Sequence, residues 1–395
     1  MKQTLPIHQV IPDLLAALQK SKRAVLTAPP GAGKTTYVPL ALLQSGLING
    51  RIVMLEPRRL AARTAAERMA KTLGEPIGET IGYRIRGEYK SSAKTKIEVV
   101  TEGILTRMLQ KDPSLDGVEA VIFDEFHERS LNADLGLALC LEVASALRDD
   151  LQLIVMSATL NASELSNLLD NAPIVNSDGR AYPVKPIWLD RPLNKQVRLD
   201  VALNDLVIKA VSETSGGVLV FLPGEAEIRR LIGNLQTYLP RDCTLHPLFG
   251  AMSFGDQRTA ISPSQQGRKI VLATAIAETS LTIEDIRVVV DAGRARRARF
   301  DPGTGMSRLV TEKVTKAEAV QRMGRAGRVA DGTCYKLWSK PEEGAMHAYP
   351  PAEIETADLA GFALELAIWG ASPDHLSFLT PPNSGQFDEA TALLR

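Results

Sequence analysis

Three groups of residues in this chain have types and spacings that could do chemistry together. The first is Ala28-Pro29-Pro30-Gly31-Ala32-Gly33-Lys34-Thr35-Thr36, between the apolar run Arg23–Thr27 and a segment with helical apolar spacing. Its glycines allow backbone N–H groups to approach phosphate oxygens, and the helix start adds a favourable dipole. Lys34 is placed to reach the β- and γ-phosphates of a nucleotide, and Thr35 to put its hydroxyl on Mg²⁺. The bland alternative is a strand–helix turn that binds nothing, but Lys and Thr at these offsets have no packing purpose.

The second group is Asp124-Glu125-Phe126-His127, directly after the apolar run Ala120–Phe123. Two carboxylates at the C-terminal end of a strand lie near a phosphate loop in folds of this kind. Asp124 is read as holding the metal's hydration shell and Glu125 as orienting or deprotonating the attacking water. Thr35, Asp124 and Glu125 form the metal-binding set. The third group is Gln321-Arg-Met-Gly-Arg-Ala-Gly-Arg328. Phosphoryl transfer needs positive charge beyond the γ-phosphate, and Arg325 and Arg328 lie three apart, so one helical turn can aim both the same way. The alternative is a basic, solvated helix start.

These groups need elements to position them. Short buried runs at Arg23–Thr27, Arg51–Leu55, Ile97–Thr101, Ala120–Phe123 and Leu151–Met156 alternate with helical patterns at Val38–Leu47 and Leu60–Leu73. Such a rhythm implies a parallel sheet covered on both faces. Residues 176–194, rich in Pro, Asp and Arg, read as a linker. A second series follows at Gly217–Leu222, Thr244–Leu248, Lys269–Ala273 and Arg287–Asp291, with the arginine-rich group near its end. Nucleotide is then expected between two domains. Helical spacing over Glu353–Trp369 with Gly370 as its stop, and over Phe387–Arg395, marks a change of character from about Pro350. Arg294–Leu309, with the turn residues Asp-Pro-Gly-Thr-Gly, reads as a basic hairpin.

The remaining composition narrows the class. A chain of 395 residues predicts two to three domains. With 45% apolar and 23% charged residues it is an ordinary globular sequence. No run of about 18 apolar residues exists, so no membrane span is expected, and Met1–His8 lacks the apolar core of a secretory signal. Three widely spaced cysteines suit a reducing cytoplasm, which is the expected location. A formal net charge of +0 neither favours nor excludes nucleic acid.

The order of Gly31-Ala-Gly-Lys-Thr35, Asp124-Glu-Phe-His127, Ser157-Ala-Thr159, Ala275-Ile-Ala-Glu-Thr-Ser280 and Gln-Arg-x-Gly-Arg-x-Gly-Arg resembles the DEAH/RHA-box helicases of superfamily 2 over nearly the whole chain. Asp124–Ser130 and Leu131–Gly136 look most like one bacterial branch of that family. The resemblance implies an α/β fold of two tandem RecA-like parallel-sheet P-loop domains, 1–178 and 179–345, and the start of a helical winged-helix domain, 346–395, with the chain ending inside it. It implies an enzyme that hydrolyses ATP or another nucleoside triphosphate with Mg²⁺ to move 3′-to-5′ along single-stranded RNA. The further helical domains of complete relatives would be missing, so unwinding by this chain alone would be poor.

Residue roles carry over in the same way. Ser157 and Thr159 would couple the domains and sense the nucleotide. His127 and Gln321 would meet across the cleft. Arg68 would stack on the base. Where relatives have an aromatic partner for the base this chain reads Gln257–Ala260, so little preference among nucleoside triphosphates is expected. Ala275 and Met323 also depart from the family pattern. A motor should grip phosphates rather than read bases. Arg58 and Arg59 after a strand, Thr101 and Gly103 at a helix start, and Thr279 and Ser280 are the expected contacts to nucleic acid, and the hairpin would lie by the 5′ end of the strand as a wedge. Two other functions remain open at this point: a motor acting on DNA, and a nucleotide-regulated RNA clamp. The sequence names no protein partner.

Overall fold

The computed structural model describes residues 5–29, 31–158, 162–179, 182–194, 196–264, 267–278, 283–301 and 303–395. The chain divides into two compact units: unit 1 is Met1–Arg180, Phe300–Ser307 and Pro351–Arg395, and unit 2 is Ala181–Arg299 and Arg308–Pro350.

In unit 1 the strands are β1 (Arg23–Thr27), β2 (Arg51–Glu56), β3 (Ile81–Ile85), β4 (Glu88–Lys90), β5 (Ile97–Thr101), β6 (Val118–Phe123), β7 (Gln152–Ser157) and β8 (Ile174–Asn176). They form one sheet in the order β4-β3-β5-β2-β6-β7-β1-β8. Every pair is parallel except β3 with β4. The helices α1 (Ile7–Ser21), α2 (Lys34–Gln44), α3 (Arg59–Leu73), α4 (Glu102–Lys111), α5 (Leu131–Ala146) and α6 (Ala162–Leu168) connect them. Because both faces are covered, the central strands read as unbroken apolar runs. One core lies against α1, α2 and α3 and another against α4 and α5.

In unit 2, β9 (Val184–Leu189), β10 (Gly217–Phe221), β11 (Cys243–Leu248), β12 (Arg268–Ala273), β13 (Ile286–Asp291) and β16 (Gly332–Ser339) form a sheet in the order β11-β12-β10-β13-β16-β9, with all its pairs parallel. Its helices are α7 (Leu199–Glu213), α8 (Glu225–Leu235), α9 (Phe254–Ile261), α10 (Lys316–Gly324) and α11 (Lys340–Gly344). The hairpin strands β14 (Arg294–Asp301) and β15 (Met306–Lys313) pair as a two-stranded sheet. The expected architecture of two parallel-sheet α/β domains is what the molecule has.

Three expectations of detail need correction. The stretch 176–194 is not only a linker: it contains β9, which pairs with β16 at the sheet edge. Pro186 is tolerated there because an edge strand needs hydrogen bonds on one side only. The helix read from Val38 begins four residues earlier, at Lys34, with Gly33 as its N-cap in the left-handed region at φ 94°. The helix read from Glu353 begins at Ala360; Glu353–Glu355 is a separate 3₁₀ turn. Helix α12 (Ala360–Trp369) does end at Gly370, at φ 85°, and α13 (Ser384–Leu393) follows. Ile354, Phe362, Leu366 and Ala390 belong to the same core as the apolar faces of α4 and α5.

Candidate functional site

The phosphate loop bridges β1 and α2. Gly31 and Gly33 have φ of 90° and 94°, where side chains are strained. A Cβ on Gly33 would also meet Leu5 Cδ1 at 2.7 Å. The loop is closed from behind by three backbone hydrogen bonds: Ala28 N–H donates to Ser157 O (3.1 Å), Ala32 N–H to Pro29 O (3.2 Å), and Ile7 N–H to Ala32 O (3.4 Å). Ala28 and Ala32 are buried, Gly31 is exposed, and Pro29, Thr35 and Thr36 are half-buried.

Lys34 opens α2, where the helix dipole disfavours a cation, and it is only 3% exposed. Carboxylates offset that. Its Nζ donates to Asp124 Oδ1 at 2.8 Å and to Glu125 Oε1 at 2.8 Å. Burial alone would push the ammonium's pKa down, but the charges and hydrogen bonds of Asp124 and Glu125 overcome it and hold the pKa above the ordinary lysine value. Thr35 Oγ1 donates to Asp124 Oδ2 at 2.5 Å.

The carboxylates come from the turn after β6. Glu125 adopts φ 51°, a left-handed conformation costing about 1–3 kcal/mol in a non-glycine residue. Asp124 Oδ1 accepts from the Glu125 N–H at 2.8 Å. His127, 7% exposed, has Nδ1 3.4 Å from Glu125 Oε2. Ala158 N–H lies 3.4 Å from the same Nδ1. Nε2 is buried with no hydrogen-bond partner among the described residues. Burial pushes the His127 pKa below the ordinary histidine value, the nearby Lys34 ammonium adds to this, and the ring is neutral at neutral pH.

The structure thus brings Lys34, Thr35, Asp124, Glu125, His127 and Ser157 into one cluster. Arg68 is exposed on α3. Pro30, Thr159, Thr279 and Ser280 lie outside the described residues. Arg58 is the N-cap of α3 and pairs with Glu128 at 3.2 Å, while Arg59 is exposed beside it at the C-terminal end of central strand β2. Thr101 is the N-cap of α4, and Gly103 faces open space.

In unit 2 the arginine-rich group is no solvated helix start. Gln321 is 7% exposed, Arg322 0% and Arg325 3%; Arg328 is half-buried. Arg325 Nε donates to Glu278 O at 2.9 Å. A Cβ on Gly327 would meet Tyr182 O at 2.5 Å, which explains one glycine of the pattern. The sequence reading missed Arg322. Its guanidinium bonds Glu278 Oε1 (2.6 Å from Nε), Asp291 Oδ1 (2.8 Å) and Arg294 O (3.2 Å), and it lies 5.0 Å from the centre of the Phe221 ring. No spacing signal separates it from the flanking arginines. Gln257, read as the missing base-stacking position, is buried and donates to Phe249 O at 3.1 Å.

The hairpin is less basic than its sequence implies. Arg296 pairs with Glu227 at 3.2 Å, Arg299 with Glu312 at 2.7 Å, and Arg297 with Glu312 at 3.1 Å and also with Glu318. Met306 and Leu309 are exposed.

Residues 7–168 match the DEAD/DEAH box helicase family, and residues 201–330 match the helicase conserved C-terminal domain. The chain is 50% identical over 381 residues to the ATP-dependent RNA helicase HrpB of Escherichia coli (strain K12), covering 96% of this chain and 47% of that protein. It is 35% identical over 407 residues to the probable ATP-dependent RNA helicase DHX34 of Homo sapiens, covering 100% of this chain and 35% of that one. The crystal structure of Escherichia coli DEAH/RHA helicase HrpB superposes with a TM-score of 0.94 at 48% identity, over 99% of this chain and 50% of that chain. The chain therefore spans about half the length of the HrpB proteins it matches. With the phosphate loop, its two carboxylates and the buried arginine group in place, the chain belongs to the DEAD/DEAH box helicases, in their DEAH/RHA branch.

Proposed function

We propose that this chain is the nucleotide-hydrolysing motor of an RNA helicase or translocase, moving 3′-to-5′ on single-stranded RNA and working in the cytoplasm. The observation that carries the reading is the buried Lys34 ammonium held between Asp124 and Glu125, with Thr35 on the same aspartate. A cation at a helix start, against the dipole and out of water, serves no stabilising purpose that an apolar residue would not serve better. It suits a site whose incoming ligand is a polyphosphate.

On this reading Lys34 leaves the carboxylates for the β- and γ-phosphates as nucleotide binds. Glu125, released, accepts a proton from the water that attacks the γ-phosphorus; the bond to the leaving diphosphate oxygen breaks, giving nucleoside diphosphate and phosphate. Arg325 and Arg328 neutralise charge on the transferring group. The donor set fits Mg²⁺. Among the described residues no group of three or more His, Cys, Asp or Glu is placed to hold a metal ion unaided, and two carboxylates with one hydroxyl suit Mg²⁺ when phosphates complete its shell. Thr35, Asp124 and Glu125 would hold the ion there, which when bound would supply Lewis-acid stabilisation of the phosphate charge.

By the family resemblance this reading also gives Ser157, Thr159, His127 and Gln321 roles in coupling, Arg68 a place at the base, and Arg58, Arg59, Thr101, Gly103, Thr279 and Ser280 contacts to the nucleic-acid backbone. The same resemblance puts the domain limits at 1–178, 179–345 and 346–395, with a winged-helix start in the last. Among the described residues no helix is long and apolar enough to cross a membrane. The test is nucleoside triphosphate turnover with and without single-stranded RNA and single-stranded DNA. RNA should stimulate turnover most. Stimulation by DNA alone would make the motor a DNA one, and tight RNA binding without turnover would make it a clamp.

A further inference from the structure

The turn that carries Glu125 and His127 is fastened at its other end by residues that no phosphate chemistry requires. Arg129, like Glu125, sits in the left-handed region, at φ 49°. Non-glycine residues persist there only where the surroundings over-determine them. At Glu125 the surroundings are Lys34 and Asp124. At Arg129 they are different. Its Nε donates to Asp134 Oδ1 at 3.0 Å, and its terminal nitrogen donates to Asp134 Oδ2 at 3.1 Å and to Thr380 Oγ1 at 3.0 Å. Its carbonyl accepts from the Glu353 N–H at 3.0 Å. Glu353 Oε2 then accepts from the Leu131 N–H at 2.7 Å.

Glu353 therefore holds both sides of Ser130, the N-cap of α5. Ser130 Oγ in turn donates to Glu102 Oε2 at 2.6 Å, beside Thr101 and Gly103. The segment bearing Glu353 and Thr380 is itself well seated: Trp369 Nε1 donates to Glu142 Oε2 at 2.6 Å, and Gln110 bonds Glu365.

We infer that Arg129 and Glu353 are positioning residues for hydrolysis: they fix the turn 125–129 and so the pose in which Glu125 meets the attacking water. This makes the segment around Glu353 and Thr380 a regulator of turnover rather than packing alone. The inference rests on the hydrolytic role proposed for Glu125.

The experiment is steady-state nucleoside triphosphate hydrolysis by Glu353→Ala, Glu353→Gln, Arg129→Lys and Glu125→Gln, with kcat and KM resolved and melting midpoints recorded. Glu353→Ala and Arg129→Lys should each lower kcat by about tenfold or more, the scale of a modest misplacement of a reacting group, with KM changed by no more than about twofold. Glu353→Gln keeps a side-chain oxygen for the Leu131 N–H and should restore most of the rate. An unchanged kcat in Glu353→Ala and Arg129→Lys, with only a lower melting midpoint, overturns the inference, as does a fall in rate carried by KM. Those results with Glu125→Gln inactive leave the hydrolytic reading standing. Full activity in Glu125→Gln removes that reading and this inference with it.

Discussion

Each unit of the molecule buries a cation between two carboxylates, and the two arrangements differ in what surrounds them. Lys34 is 3% exposed and bridges Asp124 and Glu125; Arg322 is 0% exposed and bridges Glu278 and Asp291. Arg322 has further partners in a carbonyl oxygen and an aromatic face. It is anchored in a filled core and has nowhere to go. Lys34 hangs from a loop with an exposed glycine, and its carboxylates also take a threonine hydroxyl, so water and phosphate can replace them. Burial of a charge by itself marks neither stability nor function. What separates the two is whether the partners can be exchanged.

Breaking each bridge should therefore give different losses. Lys34→Ala should lower nucleoside triphosphate hydrolysis by about 10³-fold or more, while its melting midpoint moves less than that of Arg322→Ala; a colorimetric phosphate assay and a thermal melt decide it. Arg328→Ala should lower kcat by about 10³-fold with nucleotide affinity retained. A change in affinity alone would remove its charge-neutralising role. Arg322→Ala strands Glu278 and Asp291 in the core and should cost about 3–5 kcal/mol in urea unfolding. A loss below about 1 kcal/mol would mean that unit 2 can hydrate those carboxylates as unit 1 can.

The smallest effect concerns Glu102, which is half-buried behind Ser130. Burial raises its pKa from 4.5 to about 7, Glu128, Glu353 and Asp134 add to this, and the Ser130 hydroxyl opposes it. The folded state then holds a proton that the unfolded chain releases between about pH 4.5 and 7. The stability this contributes is present below pH 4.5 and lost as pH rises through 7. Glu102→Gln should accordingly melt closer to the parent at pH 4.5 than at pH 8, where it should gain. A difference independent of pH would show that Glu102 is not strained.

Much of unit 1's frame was legible because parallel strands buried on both faces read as apolar runs; β1, β5 and the C-terminal part of β6 emerge that way. The α1 helix, with Pro12 inside it, and the short strands β3, β4 and β8 carry no such run. In unit 2, β9 is disguised by Pro186 at an edge, and β16 by Lys336. That lysine is buried against Trp188 and Trp338 and pairs with Glu343 at 2.7 Å, a solution only tertiary structure provides. In the candidate site, Lys34, Thr35, Asp124 and Glu125 stood out because their types and spacing serve one reaction. Arg322 did not, since a pattern of arginines says nothing of which one turns inward. Arg129 and Glu353 stood out least, because their partners lie more than 200 residues away in sequence at Thr380 and Leu131.

The central claim is that the Lys34 bridge marks a hydrolytic site whose water is activated by Glu125. Single-turnover cleavage of a γ-labelled nucleoside triphosphate by Glu125→Gln, with nucleotide binding measured on the same sample, tests it most directly. Retained binding with cleavage slowed by about 10³-fold is the predicted result; cleavage at the parent rate would contradict it.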